Sequence, residues 1–182
     1  MTYGPINRRR FLRDVVLAST AVITSAANLP RRPRPKFKPA LNAFKLARFV
    51  DPLPIPPRAV ITGHRSSPDK SAGNVPFYRI EMRQFTAQLH RDLKPTAQWG
   101  FNGIVPGPTF DIKRGEKILV EWVNSLPTNH LLEVDRRIHG AQGHTPAVRT
   151  VVHLHGSKAP PQSDGYPDDW FVPGKSAFCF YP

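Results

Sequence analysis

His153 and His155 lie two residues apart in the stretch RTVVHLHG, Arg149 to Gly156. On an extended strand this spacing turns both imidazoles to one face, about 6.6 Å apart at a rise of roughly 3.3 Å per residue. Imidazole is a good ligand for copper and zinc, and such a separation suits two neighbouring ions better than one. Val151 shares the histidine face, whereas Val152 and Leu154 are expected to point into the interior. Gly156 lets the chain turn directly after the pair. By itself a His-x-His pair is more often structural or accidental than a metal site. The other histidines do not strengthen it. His139 and His144 fall in a polar loop, and His64, His90 and His130 are scattered, so each reads as solvated. The single cysteine, Cys179, excludes an intrachain disulfide and a cysteine-rich metal site. No histidine follows it, so it is expected to be a small hydrophobe on a strand and not a blue-copper ligand.

The elements that must carry these residues read as strands. In YRIEMRQF, Tyr78, Ile80 and Met82 alternate with Arg79, Glu81 and Arg83, the period of a half-buried strand. KILVEWVNSL, Lys117 to Leu126, sets Ile118, Val120 and Trp122 on one face. GFNGIVPGPTF, Gly100 to Phe110, is a turn region entering another strand, with Gly103, Pro106, Gly107 and Pro108 shaping the turn. RTVVHLHG is expected to be a further strand, and residues 62–74 a polar loop. No stretch carries a long helical period, and 21 prolines weigh against helices. Short strands between turns predict an all-β sandwich with Greek-key connections over about residues 76–182, with no helix longer than ten residues between Tyr78 and Phe171.

Ahead of this body lies a different composition. The net charge is +13, yet residues 1–50 account for +10 of it and residues 51–182 for only +3. The globular part is nearly balanced, which argues against a nucleic-acid partner. Asn7 to Arg13 reads NRRRFLR, a close match to the twin-arginine export signal. The apolar run Val15 to Ala27 is too short and too weakly apolar for a membrane span, and Ser25, Ala26 and Ala27 offer a cleavage site of small residues. Residues 28–57 hold eight prolines and read as an extended strap. The expected organisation is therefore a signal peptide at 1–27, a proline-rich basic strap at 28–60 and a β domain at 61–182. Export by the twin-arginine route implies a periplasmic or extracellular location, and it is a route for folded, often cofactor-loaded proteins.

Four segments carry a resemblance: FVDPLPIP (Phe49–Pro56), QLHRDLKPTAQWGFNGIVPGPTF (Gln88–Phe110), KILVEWVNSLP (Lys117–Pro127) and TVVHLHG followed by SDGYPDDWF (Thr150–Phe171). Together they resemble the first cupredoxin domain of multicopper oxidases, nearest the bacterial spore-coat laccase and bilirubin oxidase branch. The resemblance implies a cupredoxin-like, Greek-key β-sandwich, incomplete at its C-terminal end. It implies copper as cofactor, with His153 on a type 2 copper, His155 on a type 3 copper, and Asp164 assisting proton delivery. Apart from the resemblance, Asp164 beside Gly165 also reads as a turn-forming residue.

The family sets four His-x-His elements around its copper cluster and adds a separate blue-copper site. This sequence has one such element, so the resemblance implies part of a copper-dependent oxidase that is inactive by itself. The complete enzyme would couple one-electron oxidation of phenols, tetrapyrroles or metal ions to reduction of oxygen to water. Its remaining cupredoxin domains would come from the same or another chain. The alternatives are an exported copper-binding module without turnover and a copper-free structural relative.

Overall fold

The computed structural model describes residues 41–70 and 73–182. The expected export leader and the first part of the strap lie outside those residues. The chain divides into two units, Met1–Lys45 and Leu46–Pro182. Of the first, the described part is a single 3-10 turn, Ala43–Lys45, closed by the Lys45 N–H donating to the Asn42 carbonyl at 3.1 Å.

The second unit is built on side-chain alternation. Strands β1 (Gly63–Ser66), β2 (Asn74–Ala87), β3 (Thr96–Phe101), β4 (Ile118–Ser125) and β5 (Ser176–Tyr181) form one hydrogen-bonded sheet. Tyr78, Ile80 and Met82 of β2 share one buried face with Ile118, Val120 and Trp122 of β4 and with Cys179 and Tyr181 of β5. The opposite parity, Val75, Phe77, Leu119 and Phe180, makes a second, smaller cluster. A period of two places successive side chains on opposite faces, so both clusters follow from the same strands. Cys179 is a buried, free thiol on β5, as expected of it, and burial raises its pKa.

The topology is that of an all-β fold with a crossover. One edge of β2 pairs antiparallel with β1 (Gly63 opposite Phe77) and then with β3 (Met82 opposite Phe101). The other edge pairs parallel with β4, Ile80 opposite Trp122, and β4 pairs antiparallel with β5. The connection from β3 to β4 must therefore cross the sheet. It brings Phe110 and Ile112 onto the larger core cluster, where Val148, Val152 and Phe171 join them. Phe110 meets Tyr78 edge-on at 5.0 Å, and Phe101 meets Trp122 in the same way at 5.5 Å, the geometry aromatic quadrupoles favour. Among the described residues, the only helical element within Tyr78–Phe171 is the 3-10 turn Pro161–Ser163.

Several expectations need correction. Residues 62–74 are more than a polar loop: β1 folds back on β2 as a hairpin, although GHRS carries no apolar alternation. The region entered at Gly107–Phe110 makes only an isolated parallel bridge, Arg58 to Thr109, in place of a strand. Arg149–Gly156 likewise has a single bridge, Thr150 to Phe171, and no ladder. The chain there turns at His155–Gly156, with the Ser157 N–H donating to the Leu154 carbonyl at 3.2 Å. Leu154 is accordingly 49% exposed, not turned inward, while Val152 does pack on the core.

The strap after Leu46 is fastened by the loop following β2. Arg91 donates to both carboxylate oxygens of Asp51, through Nε at 2.9 Å and through its backbone N–H at 3.0 Å, and its Nη2 donates to the Val50 carbonyl. His90 Nε2 adds a hydrogen bond to the Ala47 carbonyl at 2.8 Å, so this ring is engaged and not merely solvated. Hydrogen bonds from the Arg91 backbone and guanidinium hold the Asp51 pKa below 3.8. A carboxyl depressed in the folded state stabilises it above the ordinary value and loses that contribution as pH falls through the folded pKa. The Arg91 Nε chemical shift is therefore expected to titrate with a midpoint below 3.8; a midpoint at or above that value would show that the clasp does not form.

Candidate metal centre

The two sequence-predicted ligands stand together. The rings of His153 and His155 have centroids 5.9 Å apart and are inclined at 75°. Both residues are exposed, as is Val151 beside them, so neither imidazole is lost in the core. The two rings stay neighbours although residues 151–154 form no ladder.

Asp164 comes to the same place. Its backbone carbonyl lies 2.5 Å from His153 Nδ1, and its carboxylate Oδ1 lies 3.5 Å from the same nitrogen. With a carbonyl as partner, Nδ1 must carry the proton and donate, which leaves Nε2 with its lone pair. That is the tautomer a metal ligand needs, and metal-bound histidines are commonly oriented by such a partner on their other nitrogen. The side chains of His153 and Asp164 are 47% and 32% exposed, so the pair is open to water and to a metal ion. His155 has no hydrogen bond to another described residue. Among the described residues no group of three or more metal-ligating side chains converges. The donors present thus fit part of a copper coordination sphere, two exposed imidazoles of which His153 has its Nε2 free, and not a closed site.

Sequence reasoning missed what brings Asp164 in. Ser163 is buried, and its Oγ accepts the Phe180 N–H at 2.9 Å, tying the Pro161–Ser163 turn to β5. Gly165 has φ +78°, and a Cβ there would sit 2.2 Å from the Val152 carbonyl oxygen and 3.2 Å from the His153 Cα. Only glycine permits this approach, both for the conformation and for the space. The signal was present as a glycine after SD, but its partner is another part of the chain. Gly165→Ala is expected to cost at least about 1–3 kcal/mol and to push Asp164 off His153. Thermal unfolding together with the His153 imidazole 15N shifts checks this; unchanged shifts would show that the approach does not depend on the glycine.

A cavity of about 750 Å³ opens beside the pair, lined among others by Phe101, Phe110, Val120, Trp122, His153 and Tyr181. Its walls join core residues such as Val120 and Trp122 to the exposed loop residues Lys113, Arg114 and Glu116. At this wall Trp122, Cys179 and the Tyr181 hydroxyl are buried within hydrogen-bonding reach of one another, and burial raises the Tyr181 pKa.

Known proteins are similar to this chain in sequence and fold. Residues 84–148 fit the multicopper oxidase family model, a stretch that ends before His153. A laccase of Bacillus subtilis is 46% identical over 128 residues, covering 69% of this chain and 24% of the relative. A laccase of Haloferax volcanii is 37% identical over 177 residues, 92% of this chain and 28% of the relative. A bilirubin oxidase of Albifimbria verrucaria is 29% identical over 138 residues. The chain thus spans about a quarter of the length of the curated relatives it matches. Among solved structures, a multicopper oxidase from Pediococcus acidilactici superposes with a TM-score of 0.54 at 19% identity, over 81% of this chain and 25% of that one. This likeness is one of fold.

Proposed function

From the premise that this chain belongs to the multicopper oxidase family, we propose that it contributes one wall of a copper cluster, with His153 and His155 as two of the ligands. The observation that carries this reading is the exposed imidazole pair at 5.9 Å with the His153 Nδ1 already engaged by Asp164. By position, His153 serves a type 2 copper and His155 a type 3 copper. Bound copper would supply one-electron redox chemistry between its cuprous and cupric states.

The chain's own residues have simpler tasks. The Asp164 carbonyl fixes the His153 tautomer, and Gly165 keeps it within reach. The Asp164 carboxylate lies beside the ring and is partly open to water, a position suited to passing protons inward when oxygen is reduced. The open, largely apolar cavity beside His153 supports a further part of the reading, that other cupredoxin segments cover this wall and complete the cluster. Oxygen and a reductant, either a phenolic or tetrapyrrole compound or a metal ion, are the substrates of that complete enzyme. The NRRRFLR motif supports export by the twin-arginine route to the periplasm or beyond.

The test is a cupric-ion titration of the 182-residue chain followed by electron paramagnetic resonance. Bound copper is expected to show coupling to imidazole nitrogens that disappears when His153 and His155 are both replaced by alanine. Identical binding by the double variant would remove the ligand assignment. Copper bound by a longer form that carries the remaining His-x-His elements, yet without turnover, would move the reading to a copper-binding module. Absence of copper binding in both forms would favour a structural role.

A further inference from the structure

The His153–His155 segment has almost no backbone pairing of its own, so something else must hold it. Its sole ladder contact is the Thr150–Phe171 bridge, with Thr150 N–H to Phe171 O at 3.0 Å and Phe171 N–H to Thr150 O at 2.9 Å. Against this bridge lies Asn124, near the end of β4, with an exposure of 0%. Its Nδ2 donates to Thr150 Oγ1 at 3.2 Å and to the Phe171 carbonyl at 3.1 Å. Its Oδ1 accepts the Leu126 N–H at 3.1 Å. One side chain thus grips both strands of the bridge and anchors them to the central sheet.

We propose that Asn124 is the positioning residue for the His153–His155 pair. The proposal rests on the ligand reading given above and adds a residue to it. The chemistry of the contact selects asparagine. The environment presents two acceptors and one donor within a space closed to water, and a primary amide offers two donors and an acceptor to match. Aspartate would bring no donors and a buried charge; leucine, of similar size, would leave all three partners unpaired. The backbone of Asn124 does a separate job, since its N–H donates to the Lys175 carbonyl and its carbonyl accepts the Gly174 N–H, closing the turn into β5. A substitution therefore removes the grip on the bridge while leaving that turn's hydrogen bonds in place.

Thr150 lies three positions before His153, so the bridge is a nearby backbone anchor from which the imidazoles project. The second hold on the segment is Gly165 against the Val152 carbonyl. Asn124 fixes where the segment starts, and the Gly165 contact fixes how far it lies from Asp164. Loss of the first leaves the second gripping a chain free to pivot.

The experiment uses the full 182-residue chain and two readouts. Amide hydrogen exchange at Thr150 and Phe171 reports the bridge with no metal present. Cupric-ion affinity reports the ligand pair. In Asn124→Ala, the Thr150 and Phe171 amides are expected to lose protection while the β2–β4 ladder keeps its own, and copper affinity is expected to fall by about 10–100-fold. A purely structural residue would lower protection across the sheet in proportion. Unchanged protection at Thr150 and Phe171 in a folded Asn124→Ala chain overturns the proposal. If that variant does not fold, Thr150→Val decides the matter, because it removes one of the two grips and keeps Asn124 in its place. A faster Phe171 amide with weaker copper binding then supports the proposal, and parent-like values for both overturn it. If the parent chain binds no copper while the bridge amides still depend on Asn124, the ligand reading fails and the positioning role stands.

Discussion

Replacing Ile80 by alanine is expected to destabilise the second unit by about 2–5 kcal/mol, the range for removing a large aliphatic side chain from a close-packed core. Ile80 is 1% exposed, lies opposite Trp122 in the parallel β2–β4 pairing, and belongs to the larger of the two clusters. That pairing is the centre of the sheet, so a void there is bounded by strands that cannot move inward independently. Folded domains have only about 5–15 kcal/mol in hand, so such a loss takes a large fraction of the total. Its neighbour gives the internal control. Arg79 is exposed on the opposite face and pairs with Glu121 at 3.3 Å across the same two strands. An exposed ion pair contributes roughly 0–1 kcal/mol, so Arg79→Ala should cost about 1 kcal/mol or less. Equilibrium urea unfolding of both variants measures the contrast, and equal costs at the two positions would show that the sheet does not bury the face assigned to it.

The same alternation explains how far the sequence could be read. Strands β2 and β4 were legible because burial writes itself into residue type, as an alternation at Tyr78, Ile80 and Met82 of β2 and as an apolar run in β4, which is buried on both faces. β1 and β3 were not. GHRS has no buried residue at all, and TAQWGF lies at the edge of the sheet with no fully buried side chain. What makes them strands is the exposed edge of β2, a non-local fact that leaves little mark on short edge segments.

The candidate site divides in the same way. Its chemistry was visible, because two imidazoles at a spacing of two declare themselves by type. The role of Asp164 came from resemblance alone, and its closeness to His153 depends on Gly165 meeting a backbone segment earlier in the chain. The support was invisible: Asn124 is 26 residues from Thr150 and 47 from Phe171, and nothing in EWVNSL marks its amide as an anchor. The expectation of a strand at Arg149–Gly156 erred for this reason. The segment forms no ladder despite its Val-rich composition, and a buried side chain, Asn124, meets it at the Thr150–Phe171 bridge.

The second large effect is all-or-none: the 182-residue chain by itself is expected to show no oxygen-reducing turnover with a phenolic dye under air. Reduction of oxygen to water takes four electrons, and an enzyme that completes it must gather them at one place. The described residues bring together two imidazoles and no third metal-ligating side chain, enough to hold a copper ion loosely and too few to assemble a cluster. Nor is there a thiolate to accept electrons from a phenol. Cys179 is the only cysteine, it is buried in the core, and burial holds it in the thiol form. The side of the domain next to His153 is also open, so water reaches any copper held there. The measurement is copper-loaded chain assayed for dye oxidation and oxygen uptake, with absorption near 600 nm followed as a sign of thiolate–copper charge transfer. Sustained, copper-dependent turnover by this chain alone would overturn the prediction. Inactivity that gives way to turnover when the polypeptide is extended through further His-x-His elements, and that is lost again on replacing His153 and His155, would place those two imidazoles in a working cluster.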